Sequence, residues 1–265
     1  MWVRRVRGGV AGQAGRRTRA KRVVGATRER AGGAQRRHAA SSACVDNPHQ
    51  ASSRRTLALD LDGTLVDAKP RQVAALVELL RLERMVERVD ADAFWELKRA
   101  GLTTKGALGH FGFDPAAAER LGDLWAASVE DRCYLHLDRL IPGVQHALEA
   151  LEAAGCRPVV LTARQHRERT IEAVASLGLL RWCAEVRVVP PRSAAEAKAA
   201  ELIALDCAGL IGDTESDARA AELAGIPFVA VTTGQRSEEF LKEQQLATSG
   251  SLPEALRALG REWSG

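Results

Sequence analysis

One short stretch, residues 57–67 (LALDLDGTLVD), constrains this chain more than any other. Apolar residues lead into Asp60 and Asp62, and Gly63-Thr64 then turns the chain. The pattern predicts a short buried strand that presents two carboxylates at its carboxyl end, where open parallel sheets bind ligands. Carboxylates bounded by Leu59, Leu61 and Leu65 are costly to bury unless a cation neutralises them. Mg2+ with a phosphate suits such a place, because that ion takes one or two carboxylates together with substrate oxygens. The simpler account is a strand that ends in solvated turn aspartates.

Further apolar runs, at 158–161, 186–189, 208–211 and 227–231, alternate with helix-length segments at 144–154, 167–177, 194–205 and 218–224. This alternation predicts an α/β protein with a Rossmann-like, right-handed parallel sheet flanked by helices. Between the first strand and the rest, β character is lost. A stripe of Val73, Leu76, Val77, Leu80 and Met85 predicts one helix, and residues 91–99 predict a second. A loop over 101–106 follows, then a helix with Asp114 as N-cap and Pro115 at its first position. The expected division is a basic, disordered tail over 1–53, an α/β core from 54–68 and 141–265, and an all-helical insertion over 69–140.

Charge is distributed unevenly. Residues 1–55 hold 14 of the 38 Lys and Arg but two of the 34 Asp and Glu, so 56–265 carry a net −8 within a chain of +4. The basic pI therefore belongs to the front end and is no argument for nucleic-acid binding by the body. Three accounts fit the Arg-rich tail: a start assigned too early, an organelle-targeting peptide, or a basic arm for nucleic acid. The five cysteines (Cys44, Cys133, Cys156, Cys183 and Cys207) show no CxxC spacing. They read as small buried hydrophobes in a reducing, cytoplasmic compartment. No apolar run is long enough to span a membrane.

The strand ends carry the chemistry. The first supplies Asp60 and Asp62, the second Thr162, and the fourth an acidic turn from Asp213 to Asp217, with Lys198 between them. One carboxylate of the first pair can attack phosphorus, and its neighbour can protonate the leaving oxygen and then activate water. Asp213 and Asp217 add charge for Mg2+, Thr162 and loop N–H groups can take phosphoryl oxygens, and Lys198 can neutralise the transferring group. Taken singly, Thr162 also reads as a helix cap, Lys198 as a solvated helix lysine and Asp217 as a helix-start charge.

The ordered set of residues 60–67 (DLDGTLVD), 161–164 (LTAR), Lys198 and 211–217 (IGDTESD) resembles the four motifs of the haloacid dehalogenase superfamily, and most of all its phosphoglycolate-phosphatase-like members. That resemblance covers residues 56–260. It implies a phosphatase with Asp60 as nucleophile and Asp62 as general acid/base. Mg2+ would lie among Asp60, the Asp62 carbonyl and Asp213, with Asp217 in support, and Thr162 and Lys198 would hold the phosphoryl group. The helical insertion would be a mobile cap. Many relatives carry the third-motif lysine just before a proline turn; here that turn reads Val189-Pro190-Pro191-Arg192, which leaves Arg192 as the alternative to Lys198.

An Asp at position 62 fits phosphate-ester hydrolysis, with a sugar-phosphate mutase as the second reading, because an oxygen leaving group needs a proton. The substrate expected is a small phosphorylated metabolite. Lys98, Thr104 and Lys105 in the insertion, and Arg164 after Thr162, are candidates to bind its second anionic group, with Arg236 a further one. A non-catalytic binding module is the alternative from another class. Either a monomer or a homodimer fits the composition.

Overall fold

A computed structural model describes residues 56–262. The tail assigned to 1–53 and Cys44 lie outside the described residues. Strand β1 (Thr56–Leu59) enters the molecule buried, and β2 (Val66–Asp67) follows the turn that Asp62 to Leu65 make. Helix α1 (Lys69–Leu82) then begins the insertion, with Pro70 in its first turn. Next come α2 (Ala91–Arg99), α3 (Thr104–His110), α4 (Pro115–Ser128) and the single turn α5 (Arg132–Leu135). The chain returns through β3 (Arg139–Leu140), which pairs antiparallel with β2.

The core resumes with α6 (Val144–Ala153), β4 (Val159–Ala163), α7 (Arg167–Ser176) and β5 (Glu185–Val189). It continues with α8 (Ala194–Ala204), β6 (Cys207–Gly212), α9 (Glu215–Ala224) and β7 (Phe228–Val231). Helix α10 (Glu238–Glu243), β8 (Thr248–Ser249) and α11 (Leu252–Glu262) complete it. The main sheet runs β5-β4-β1-β6-β7-β8, with every neighbouring pair parallel. Strand β1 lies between β4 and β6, where the strand order reverses. A crevice opens outside the strand ends at such a point. The predicted α/β class and the helical insertion after the first strand are what the chain adopts.

Apolar residues pack on both faces of the sheet. Leu57, Leu59, Leu148, Val160, Val174 and Leu259 fill one side, and Ala58, Leu161, Leu202, Leu210, Ala220 and Ala221 the other. The insertion has a cluster of its own, with Leu76, Leu80, Phe94, Leu108, Phe113 and Leu121 at its centre. All but Phe113, which precedes α4, lie on helices, so the α1–α4 unit is built mainly by burying amphipathic stripes.

Several elements depart from the sequence expectation. The loop expected over 101–106 closes early, because the Thr103 hydroxyl accepts from Gly106 N at 3.1 Å and starts α3 at Thr104. Helix α9 starts at Glu215 rather than at 218, since Thr214 and Asp217 form a reciprocal capping box. Strands β2, β3 and β8, of two residues each, are too short to show a period of their own and are set by contacts distant in sequence. Cys133 is exposed on α5, against the expectation of burial, whereas Cys183 and Cys207 are buried thiols. Among the described residues, no helix is long and apolar enough to cross a membrane.

Candidate active site

The carboxylates predicted at separate strand ends meet in space. Asp60 leaves β1 with its backbone N–H donating to Ile211 O at 2.9 Å, so β6 fixes the residue before its side chain is considered. The residue is 5 % exposed, and Asp213, at the end of β6, is 1 % exposed. Lys198, on α8, reaches both Asp60 Oδ1 and Asp217 Oδ1 at 2.5 Å. It is buried, so the solvated-helix account of this residue does not hold, and it rather than Arg192 meets the carboxylates. Arg192 is exposed and lines an outer cleft of 710 Å3 with Arg167 and Asp123.

Asp217 spends its two oxygens differently. Oδ1 takes Lys198, while Oδ2 accepts from Thr214 N at 3.2 Å and Thr214 Oγ1 at 2.7 Å. It therefore positions the lysine and caps α9 in one act. Thr162 sits inside β4 and not at a helix cap; it lines, with Asp60, Lys198 and Asp213, a pocket of 110 Å3, about the size for a phosphoryl group and an ion.

Burial dominates the electrostatics. It raises the Asp60 carboxyl to about 7, against the pull of Lys198 and with help from Asp217 and Asp62. Asp213 is pushed well up by burial and then by Asp60 and Asp217. Burial alone would lower Lys198, but Asp217 and Asp60 outweigh it and keep the ammonium above its ordinary range. Three carboxylates against one lysine leave a negative excess in a buried place.

The donor set fits Mg2+. Asp60, Asp213 and Asp217 each place an oxygen within 4.8 Å of the others, all three are buried, and hard oxygens are what this ion takes. Asp213 Oδ1 has no hydrogen-bond partner although it is buried, while Oδ2 accepts from Gln235 N at 2.6 Å. Two glycines make room for this carboxylate. A Cβ on Gly63, whose φ is +82°, would lie 2.1 Å from Asp213 Oδ2, and one on Gly234 would lie 1.9 Å from it. The Asp62 side chain points elsewhere. Its Oδ1 accepts from Arg71 Nη2 at 2.8 Å and Arg164 Nη2 at 2.5 Å, and its Oδ2 from Arg164 Nε at 3.0 Å. Burial pushes this carboxyl up, but the Arg164 and Arg71 guanidiniums outweigh it and hold it well below the usual carboxylate range.

Of the candidates for substrate contacts, Arg164 is at the site, buried and lining a cavity of 170 Å3 beside Asp62. Lys98 is buried in the insertion, donating to Thr104 Oγ1 at 3.2 Å, its ammonium 4.6 Å from the centre of the Trp125 ring. Burial, then Arg236 and Arg71, lower it to about 7. Arg236 is held by both carboxylate oxygens of Glu215 and by Lys98 O. The structure does not bring Lys105 to the site: it pairs with Glu119 and Asp123 on the outer side of α4, because α3 points it there. Arg71, Asp138 and Gln72 are the residues that sequence reasoning missed. A buried arginine on a helix reads as a surface residue until its partners 67 positions away are seen.

A profile of the haloacid dehalogenase-like hydrolases matches residues 54–225. The chain belongs to that family. It is 31 % identical over 197 residues to a phosphoglycolate phosphatase of Caulobacter vibrioides, covering 69 % of this chain and 81 % of the relative. It is also 31 % identical over 198 residues to one of Rhodobacter capsulatus, covering 68 % and 85 %. A predicted phosphatase from Clostridium acetobutylicum, a solved structure, superposes with a TM-score of 0.62 at 18 % identity, covering 78 % of this chain and 99 % of that one. Family and relatives together make this hydrolase a phosphatase, and the solved structure shows the shared fold.

Proposed function

We propose that this phosphatase hydrolyses a small phosphorylated metabolite through an aspartyl phosphate on Asp60, with Mg2+ at the Asp60–Asp213–Asp217 cluster. The observation that supports this most is the buried Asp60 carboxylate, shared with Lys198 and set beside an unpartnered Asp213 oxygen. Bound there, Mg2+ would neutralise the carboxylates and the phosphate so that one anion can approach another. Asp60 Oδ attacks phosphorus in line, and the bond from phosphorus to the leaving oxygen breaks as Asp62 gives that oxygen a proton. Water then attacks the same phosphorus, Asp62 takes its proton, and the Asp60–phosphorus bond breaks. Lys198, Thr162 and the loop N–H groups hold the phosphoryl oxygens through both steps.

The relatives named as phosphoglycolate phosphatases suggest the substrate class, and the cavity beside Asp62 agrees with it. At 170 Å3 it is small against the roughly 300–1,000 Å3 of sites for drug-sized ligands. It is lined by Gln72 and Arg164, whose Oε1 and Nη1 are buried without partners. A short phosphorylated acid offers a carboxylate to Arg164, so a phosphorylated hydroxy acid is the substrate class and phosphoglycolate the first compound to try. An anionic leaving group drawing on Arg164 also loosens its hold on Asp62, which the proton-carrying form requires. The insertion serves as the cap, with Lys98 adding positive charge above the site.

Turnover of p-nitrophenyl phosphate should require Mg2+, stop with a chelator, and fall by about 10,000-fold or more in Asp60→Asn, the loss expected when a nucleophile is removed. Activity retained in that variant would sink the assignment. Release of free phosphate, not of an isomeric phosphate, separates hydrolysis from the mutase reading.

A further inference from the structure

Asp62 is one corner of a buried cluster of four charges. Arg71 Nε donates to Asp138 Oδ1 at 2.8 Å, Arg164 Nη2 donates to Asp138 Oδ2 at 3.1 Å, and both arginines bind Asp62. Arg71, Asp138 and Arg164 are each 2 % exposed, and their charges cancel with that of Asp62. Arg71 also donates to Val129 O at 3.3 Å.

The origin of these residues in the chain is what gives the cluster meaning. Asp62 and Arg164 follow β1 and β4 and belong to the core. Arg71 is in the first turn of α1, where the chain enters the insertion, and Asp138 immediately precedes β3, where it leaves. Both lie on the insertion side of the two-stranded stalk, in which Val66 is opposite Leu140 and Asp67 opposite Arg139. The Arg71–Asp138 pair therefore ties the two ends of the insertion together, and Arg71 uses its remaining arm to hold the acid/base. A carboxylate gripped by two planar guanidiniums has little rotational freedom. A proton donor misplaced by about 1 Å loses on the order of 100-fold in rate.

We infer that Arg71 and Asp138 are positioning residues for Asp62: their ion pair across the stalk sets the aim of the Asp62 carboxylate at the leaving oxygen. Proton delivery is thereby conditional on the two ends of the insertion being seated against the core. The inference rests on the reading of Asp62 as the general acid/base. Its chemistry is one proton passing from Asp62 to the leaving oxygen as the bond to phosphorus breaks; Arg71 and Asp138 lose and gain nothing.

Leaving-group dependence separates this role from mere stabilisation of the fold. A p-nitrophenolate leaves with little protonic help, whereas an alkoxide needs it. The full chain, its Arg71→Lys and Asp138→Asn variants, Asp62→Asn, and each of the first two combined with Asp62→Asn are assayed with Mg2+. The substrates are p-nitrophenyl phosphate and whichever alkyl monophosphate, phosphoglycolate included, the full chain turns over fastest. In Arg71→Lys and Asp138→Asn, kcat/KM, which reports the step that releases the leaving group, should fall by about 10- to 100-fold for the alkyl substrate and stay within about threefold for p-nitrophenyl phosphate. The kcat value also carries the water step that both substrates share and does not discriminate. In the Asp62→Asn background neither substitution should slow the alkyl substrate further, because residues acting through one group are not additive. Equal losses of kcat/KM on both substrates, or losses that add to that of Asp62→Asn, overturn the positioning role and leave Asp62 as the acid/base. Asp62→Asn lowering kcat/KM for both substrates alike overturns the acid/base reading, and this inference with it. Asp138→Asn keeps the shape of the side chain and carries the test if Arg71→Lys does not fold.

Discussion

Two regions of this phosphatase bury charge in opposite senses. At the ends of β1 and β6, Asp60, Asp213 and Asp217 share Lys198. In the insertion, Lys98 is equally buried, and among the described residues its ammonium has a threonine hydroxyl and two aromatic rings for company but no carboxylate in ion-pairing reach. Burial disfavours the charged form in both places, raising Asp60 to about 7 and lowering Lys98 to about 7. The core is thus short of positive charge and the insertion short of negative charge. On the proposed function, a cation on one side and an anionic substrate on the other would relieve both. Neither half is as stable alone as a fold without the charge would be, and function is the reason that such places persist.

Among variants that leave the charges of the two regions in place or relieve them, the largest effect should come from disturbing the acidic region without changing its charge. Gly234→Ala would put a Cβ 1.9 Å from Asp213 Oδ2 and 2.6 Å from Gly63 Cα. Something must shift, and the Asp213 carboxylate is nearest. Turnover should fall by about 100-fold or more, with a matching loss of Mg2+ affinity in calorimetric titration. Wild-type Mg2+ affinity in this variant would show that Asp213 does not hold the ion.

Next in size is Lys98→Met. The folded-state value of Lys98, about 7, lies below its ordinary 10.5, so between these the unfolded chain binds more protons than the folded one. Native stability then rises with pH across that window, and the burden of the buried ammonium is fully present below pH 7. Lys98→Met removes the burden. Its melting temperature should exceed wild type by on the order of 5 °C at pH 6, with the gap closing as pH approaches 10. A gap independent of pH would mean that packing, not charge, sets the difference. The smallest effect belongs to Lys105→Ala, which breaks exposed pairs with Glu119 and Asp123. Its kcat/KM should stay within about twofold of wild type, and a larger loss would put Lys105 back among the substrate contacts.

Much of the core was legible because it follows local rules. Leucines leading into Asp60, the glycines at 178 and 225 that close α7 and α9, and Pro115 behind Asp114 are all local devices. The order of Asp60, Thr162, Lys198 and Asp213 along the chain sufficed to gather them, because parallel strands in one sheet bring their carboxyl ends to one edge. Lys105 was misplaced because nothing local distinguishes a lysine that faces the site from one that faces solvent, and the start of α3 decides which.

The sequence by itself determined the fold class, the acidic strand ends and which of them carry carboxylates, since strand period and helix period are properties of neighbouring residues. Only the tertiary structure decided how those charges are matched. That Asp62 turns from the other aspartates to Arg71 and Arg164, and that Asp138 stands behind both arginines, depends on pairs 67, 102 and 26 residues apart. A buried charge is stable only with its partners in reach, and reach across the stalk exists only once the chain has folded.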